Sequence, residues 1–195
     1  MRSAYKFLAA GARSPFTGLR WPEAGTWVSA PGDREATWVF ACRREDLPYW
    51  VDGELWRIEL DGPVREARHQ ISAPRARLAA RIEAWSAELG RRYAEACARH
   101  ARDAALPALP AALRERIAPL DDPGELAAAV QGAPAASAIA GYLGDAAAMA
   151  RDDHPAAASY LACMLAASVR GGAAGFEAER AWQARWLSEH LALDP

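Results

Sequence analysis

The sequence predicts an α+β protein in which a small mixed or antiparallel sheet packs on a long helix and is followed by a mostly helical array. Two observations carry this prediction. The first third of the chain is rich in aromatic residues with strand-like alternation, whereas the rest is rich in alanine and arginine, with larger apolar residues every three or four positions. We therefore divide the chain into an aromatic sheet unit, residues 1–74, and an alanine- and arginine-rich helical region, residues 75–195, and expect them to share one core.

The first strands are predicted from short runs of β-prone residues separated by turn residues. Tyr5–Leu8 opens the sheet. Thr26–Ala30 and Thr37–Arg43 are expected to pair with each other across a proline-glycine-aspartate turn. The continuous apolar run from Trp38 to Cys42 predicts a central strand covered on both faces.

Two more strands are predicted after a short helical turn at Arg44–Pro48. Glu54–Leu60 alternates, with Trp56 and Ile58 on the same face. Val64–Ile71 follows an aspartate-glycine-proline turn and is predicted as one further strand. These segments complete the sheet unit.

The period of the apolar residues changes near Arg75 and predicts one long helix over Arg75–Asp103. Leu78, Ile82 and Trp85 fall on one face of that helix, which we expect to cover the aromatic sheet.

Further helices are predicted from capping signals. A short helix is bracketed by prolines, and Asp122 before Pro123 is an N-cap followed by a first-turn proline. The next helices are predicted to begin near Pro134 and Pro155 and after Gly172. The C-terminal part is therefore an array of helices.

Composition argues against several classes of function. The net charge of −2, from 23 basic and 25 acidic residues, lacks the positive field that nucleic-acid binding requires. Lys6 is the only lysine, and the abundance of arginine is attributed to the codon usage of a high-G+C genome. The cysteines Cys42, Cys97 and Cys163 are widely spaced and form no CxxC pair, which favours reduced thiols. With no apolar stretch long enough for a signal or a membrane span, we expect a cytoplasmic protein.

An aromatic group in the first third is the best candidate binding site. Its members are Phe16, Trp21, Trp27, Trp38, Tyr49, Trp50 and Trp56. Some of these rings can line a pocket for a planar ligand, with Arg20 or Lys6 holding an anion, although the same rings can simply form the core. The predicted function is a cytosolic binding or protein-interaction module that contacts a partner protein or small ligand through Phe16, Arg20, Trp21 and Trp50.

An enzyme is the alternative, specifically a transferase or hydrolase with a cleft in the N-terminal sheet. Lys6, Glu59 and His69 are the candidate catalytic residues, with Arg20 beside them, and at least two must share a cleft. Lys6, Ser29 and Glu59 can also be placed in the roles found in the split sheet of ADP-ribosyltransferases, an analogy at the level of the fold. The sequence identifies no cofactor.

Two other groups have a structural explanation that we favour. Asp152, Asp153 and His154 are residue types that bind cations, but adjacent residues rarely converge on one ion, and Pro155 indicates a helix start. Cys42 needs an activating base to act as a nucleophile, and its apolar strand favours an inert thiol. No metal site is predicted.

The last helix offers a third possibility. Trp182 and Trp186 lie one turn apart and are large enough to form a contact between two copies of the chain. A homo-oligomeric structural protein is therefore a further alternative.

Several short segments form a recognisable pattern. They are YKFL at 5–8, SPFTG at 14–18, WP at 21–22, ACR at 41–43, DLP at 46–48, ELWRIEL at 54–60, ERAWQ at 179–183 and WL at 186–187. This pattern resembles a group of uncharacterised proteins from high-G+C bacteria, which implies a common fold unit over most of the chain and no activity. That group has a histidine before the ACR segment, where this chain has Phe40, and the difference argues against catalysis by this strand.

Overall fold

The computed structural model describes residues 1–29, 38–131 and 137–193. The chain forms two compact units, one comprising Met1–Ser86 with Leu187–Pro195 and the other comprising Ala87–Trp186. All the described strands lie in the first unit and the α-helices begin in the second, so the α+β class is confirmed. The first unit runs past the predicted boundary at residue 74.

The strands of the first unit form two antiparallel sheets. They are β1 (Arg2–Leu8), β2 (Val28–Ser29), β3 (Val39–Ala41), β4 (Glu54–Asp61), β5 (Arg65–Ala67), β6 (Gln70–Ala73) and β7 (Arg75–Arg81). The larger sheet has the order β1-β4-β7-β2 and the smaller the order β3-β6-β5. The predicted opening strand and the alternating strand at Glu54 are confirmed, as is the helical turn, a 3-10 helix over Arg44–Tyr49.

Side chains from both sheets form one core cluster of the first unit. Its buried members are Ala4, Leu8, Trp21, Val39, Ala41, Ile58, Leu60, Ile71, Ala73, Ala76 and Leu78. Ala4 lies opposite Ile58 in the ladder between β1 and β4, and Trp56 packs partly buried against the same cluster. The predicted common face of Trp56 and Ile58 is therefore confirmed.

Three strand predictions are wrong. Over their described residues, Thr26–Ala30 and Thr37–Arg43 do not pair with each other, because β2 pairs with β7 and β3 pairs with β6. β3 is an edge strand that leaves Phe40 45% exposed, rather than a covered central strand. Val64–Ile71 is not one strand, since β5 and β6 form a hairpin there. The predicted strand ends at Ala30 and Thr37 lie outside the described residues.

The long helix predicted over Arg75–Asp103 is also wrong at its start. Residues 75–81 form β7, which pairs with β4, and helix α1 covers Ala87–Ala105. Ala76 and Leu78 are both buried, so the strand places alternate residues in the core. Short apolar runs fit either period, and here the hydrogen bonds available from β4 decide the outcome.

The second unit consists of helices. They are α1, α2 (Ala111–Ile117), α3 (Pro123–Gln131), α4 (Ala138–Arg151), α5 (Pro155–Arg170) and α6 (Gly172–His190), the last of which ends beyond this unit. The capping prediction is confirmed, since the backbone N–H of Glu125 donates to Asp122 Oδ1 at 2.9 Å. The helix start predicted near Pro134 lies outside the described residues.

Small residues bring these helices close together. Ala94 and Ala98 of α1 pack with Ala150 of α4 and Ala158 of α5 in one buried cluster. Because alanine adds little bulk, the helix axes can approach closely without voids. The alanine-rich sequence of the second unit is therefore a packing feature.

Candidate functional site

The first unit contains a cavity of about 440 Å³ with an aromatic wall. The aromatic residues that line it are Tyr5, Phe7, Phe16, Trp21, Trp38, Phe40, Tyr49 and Trp50. Among the described residues, the wall has one cation, Lys6, and one carboxylate, Asp52. A cavity of this size and lining is typical of sites for small organic ligands.

The loop between β1 and β2 supplies two of the rings. Gly18 has a φ of 67°, a left-handed conformation that glycine adopts without strain, and its N–H donates to the Ser14 carbonyl at 2.9 Å. The Trp21 indole N–H donates to Ser14 Oγ at 2.9 Å. The turn thus buries Trp21, which is 4% exposed, and leaves Phe16 85% exposed.

The 3-10 helix and the residue that follows it supply two more rings. The Trp50 indole N–H donates to the carbonyl of His69 at 2.7 Å, and the Tyr49 ring stacks on the His69 ring with centroids 3.8 Å apart. Phe16 meets Trp50 edge to face at 6.0 Å. His69 therefore supports the cavity from behind, through Tyr49 and Trp50.

Lys6, the one lysine of the chain, lies in this wall. Its Nζ donates to the carbonyl of Phe40 at 2.6 Å and lies 5.6 Å from the Trp21 ring centroid. It forms no ion pair with any carboxylate in the described part of the chain. Burial lowers the pKa of Lys6 from 10.5 to about 8, because the ammonium loses contact with water.

Cys42 lies beside Lys6 in the wall but remains a thiol. The residue is 1% exposed, and its Sγ–H donates to the Tyr5 carbonyl at 3.4 Å. Burial raises the pKa of Cys42 strongly, and the nearby Asp46 carboxylate raises it further. The predicted burial of Cys42 is confirmed.

Trp38 also lines the wall. Its indole nitrogen is buried and has no hydrogen-bond partner among the described residues, while the Arg65 guanidinium lies 3.9 Å from its ring centroid. A buried N–H without an acceptor costs free energy.

Glu59 lies apart from Lys6. The ladder between β1 and β4 pairs Lys6 with Trp56 and Ser3 with Glu59. Because partners in a ladder share a face and successive residues alternate, Lys6 and Glu59 point to opposite faces of the sheet. The Glu59 carboxylate is bound to the Arg77 guanidinium at 2.7 Å.

His69 and Arg20 also lie outside the cavity wall. His69 Nδ1 is 3.3 Å from Asp46 Oδ1, and Asp46 in turn accepts from Arg43 Nε at 2.6 Å. Arg20 is exposed. Of the predicted catalytic set, Lys6 is the one residue that lines the cavity.

Most of the predicted aromatic group lines the cavity. Five of its seven rings do so, whereas Trp27 lies under the guanidinium groups of Arg75 and Arg77, and Trp56 donates its N–H to Glu54 Oε2 at 3.0 Å. Sequence reasoning missed Tyr5, Phe7 and Phe40. Tyr5 and Phe7 are the chain neighbours of Lys6 in β1. This adjacency was the signal in the sequence that could have identified them as lining residues.

The other sequence candidates have local partners. Asp152 follows α4 and pairs with the Arg151 guanidinium at 2.8 Å, while Pro155 begins α5 as predicted. Over residues 1–29, 38–131 and 137–193, no three histidine, cysteine, aspartate or glutamate side chains are grouped so as to hold a metal ion.

The tryptophans of α6 contact rings of the same unit. Trp182 stacks on His100 with centroids 3.9 Å apart, and Trp186 lies 5.4 Å from the Tyr93 ring. Both indoles are partly buried within the chain. His100 Nδ1 also lies 2.8 Å from the buried carboxylate of Glu179.

No protein-family model, curated protein or solved structure matches this chain. None of the described helices is long and apolar enough to cross a membrane.

Proposed function

We propose that the protein is a binding protein whose aromatic cavity takes a small planar molecule carrying a hydrogen-bond acceptor. The observation that carries this proposal is the 440 Å³ cavity with an aromatic wall and a single lysine ammonium. Stacked or edge-on rings favour a planar apolar body, and the ammonium favours a carboxylate or carbonyl oxygen on it.

The exposure of Phe16 supports access from solvent. A phenylalanine that is 85% exposed contributes little buried apolar area to the stability of the fold, yet the Phe16 ring meets Trp50 at the cavity wall. A bound planar ligand buries such a ring, and burial of apolar area favours binding.

A titration with 2-naphthoate, followed by calorimetry at pH 7, tests the proposal. We expect saturable binding at one site. Phe16→Ala is expected to weaken it about two- to tenfold, the value of one aromatic contact. Tyr160→Ala is the matched control, because Tyr160 is an exposed ring on α5 that meets Phe176 edge-on at 6.1 Å and is not a lining residue of the cavity.

An absence of heat with the wild-type protein would contradict the proposal. So would equal losses of affinity in the Phe16→Ala and Tyr160→Ala variants, since they would show that the cavity is not the site.

A protein partner that inserts an apolar side chain into the cavity is the second candidate. The 45% exposure of Phe40 on the edge strand β3 favours it, because exposed aromatic groups mark interaction sites. Native mass spectrometry of gently purified protein separates the two, since a retained small molecule supports the first candidate and a stoichiometric protein supports the second.

A further inference from the structure

Lys6 is the single lysine among the 23 basic residues of the chain, and it lines the cavity. Arginine supplies the basic charge everywhere else. A guanidinium stays charged at all physiological pH values, whereas a lysine amine can lose its proton and act as a nucleophile. The cavity wall therefore contains the only side chain of this chain that is a cation when protonated and a nucleophilic amine when neutral.

The surroundings of Lys6 raise the fraction of its side chain that is present as the neutral amine. Desolvation lowers the pKa of Lys6 to about 8. Besides Tyr5, the other titratable groups that the described residues bring to the wall are the Cys42 thiol, which remains protonated, and the Asp52 carboxylate, whose Oδ1 accepts the Gly53 N–H at 2.7 Å. About a tenth of the Lys6 amine is then neutral at pH 7, compared with well under a thousandth for an ordinary lysine.

We propose that the ligand of this cavity is a planar carbonyl compound, which the Lys6 amine holds covalently as an imine. This inference rests on the proposed binding function. The neutral amine attacks the carbonyl carbon, so that a C–N bond forms and the C=O π electrons move to oxygen. Proton transfer from nitrogen to oxygen gives a carbinolamine, and loss of water leaves the C=N bond. No oxidant or reductant is consumed.

Reductive trapping with 2-naphthaldehyde and sodium cyanoborohydride tests the inference. Hydride from the reagent adds to the imine carbon and makes the adduct permanent, and peptide mapping by mass spectrometry locates it at Lys6 or at the terminal amine of Met1. The internal reference is Arg92→Lys, which introduces a second amine at an exposed position of α1.

We expect the adduct to form at Lys6 roughly tenfold or more faster than at the introduced amine near pH 7, because far more of the Lys6 amine is neutral. Excess 2-naphthoate is expected to slow labelling of Lys6 and to leave the introduced amine unaffected. Lys6→Arg should abolish the adduct at this position.

The failures of the two proposals are distinguishable. If 2-naphthoate binds but the aldehyde labels Lys6 no faster than the introduced amine, the imine is refuted and the binding function stands. If 2-naphthoate does not bind and labelling is not selective, both are refuted.

Discussion

Replacing Lys6 by methionine is expected to change how the stability of the protein depends on pH. In the folded protein the amine loses its proton near pH 8, whereas in the unfolded chain it keeps the proton up to the ordinary pKa of 10.5. Between these values the unfolded state binds more protons, so the free energy of unfolding rises with pH. The stabilisation is complete above pH 10.5 and is lost as the pH falls through 8.

The pKa shift sets the size of the effect. A pKa lowered from 10.5 to about 8 corresponds to about 3 kcal/mol of unfolding free energy gained by the wild type between pH 7 and pH 10.5. Lys6→Met cannot titrate and lacks this gain. The stability of the variant relative to the wild type should therefore fall by about that amount over the same range.

Urea unfolding followed by circular dichroism at several pH values measures this difference. Taking the variant against the wild type cancels the titration of cysteines and tyrosines common to both. Arg92→Met is the matched control, since it removes an exposed cation and is expected to leave the pH profile unchanged. Parallel profiles of the wild type and Lys6→Met would refute the reasoning that Lys6 is desolvated.

Three further predictions concern the second unit and are checked by urea unfolding. Gly175→Ala should destabilise the protein by at least about 2 kcal/mol, because the added Cβ would overlap the Ala166 carbonyl, a backbone group that cannot move aside cheaply; a change below about half of that would refute the close contact. Gly141→Ala, also in a helix but with no atom within 4 Å of the added Cβ, should instead stabilise it by up to about 1 kcal/mol. His100→Leu leaves the buried Glu179 carboxylate without its imidazole partner at 2.8 Å and should cost about 3 kcal/mol, whereas a neutral result would mean that the pair contributes nothing.

Local signals in the sequence predicted individual elements well. Asp122 before Pro123 marks a helix start, and the alternation from Glu54 marks β4, because caps and period-2 patterns depend on neighbours in the chain. Pairing between distant segments could not be predicted in this way. β2 pairs with β7 and β3 pairs with β6, instead of with each other. Arg75–Arg81 forms a strand because β4 offers it backbone hydrogen bonds.

The candidate site was predicted only in part, because its aromatic residues are close in the sequence whereas its sheet contacts join distant segments. Aromatic residues clustered in the sequence remained clustered in space, so Phe16, Trp21 and Trp50 line one cavity. Of the two cations proposed to hold an anion, Lys6 lines this cavity and Arg20 does not. Sheet register decides which side chains share a face of the sheet. A ladder fixed by distant residues places Glu59 on the opposite face from Lys6, and no spacing in the sequence reveals it.

Because the chain has one lysine, NMR can test directly whether the cavity that Lys6 lines binds a ligand. Protein labelled with ¹³C-lysine gives a single ¹³Cε resonance, from Lys6, which can be followed by NMR during addition of 2-naphthoate at pH 7. The account predicts a saturable shift of that resonance, which Phe16→Ala weakens and Tyr160→Ala leaves unchanged. A resonance that does not move while 2-naphthoate reaches millimolar concentration would contradict the assignment of this cavity as a ligand site.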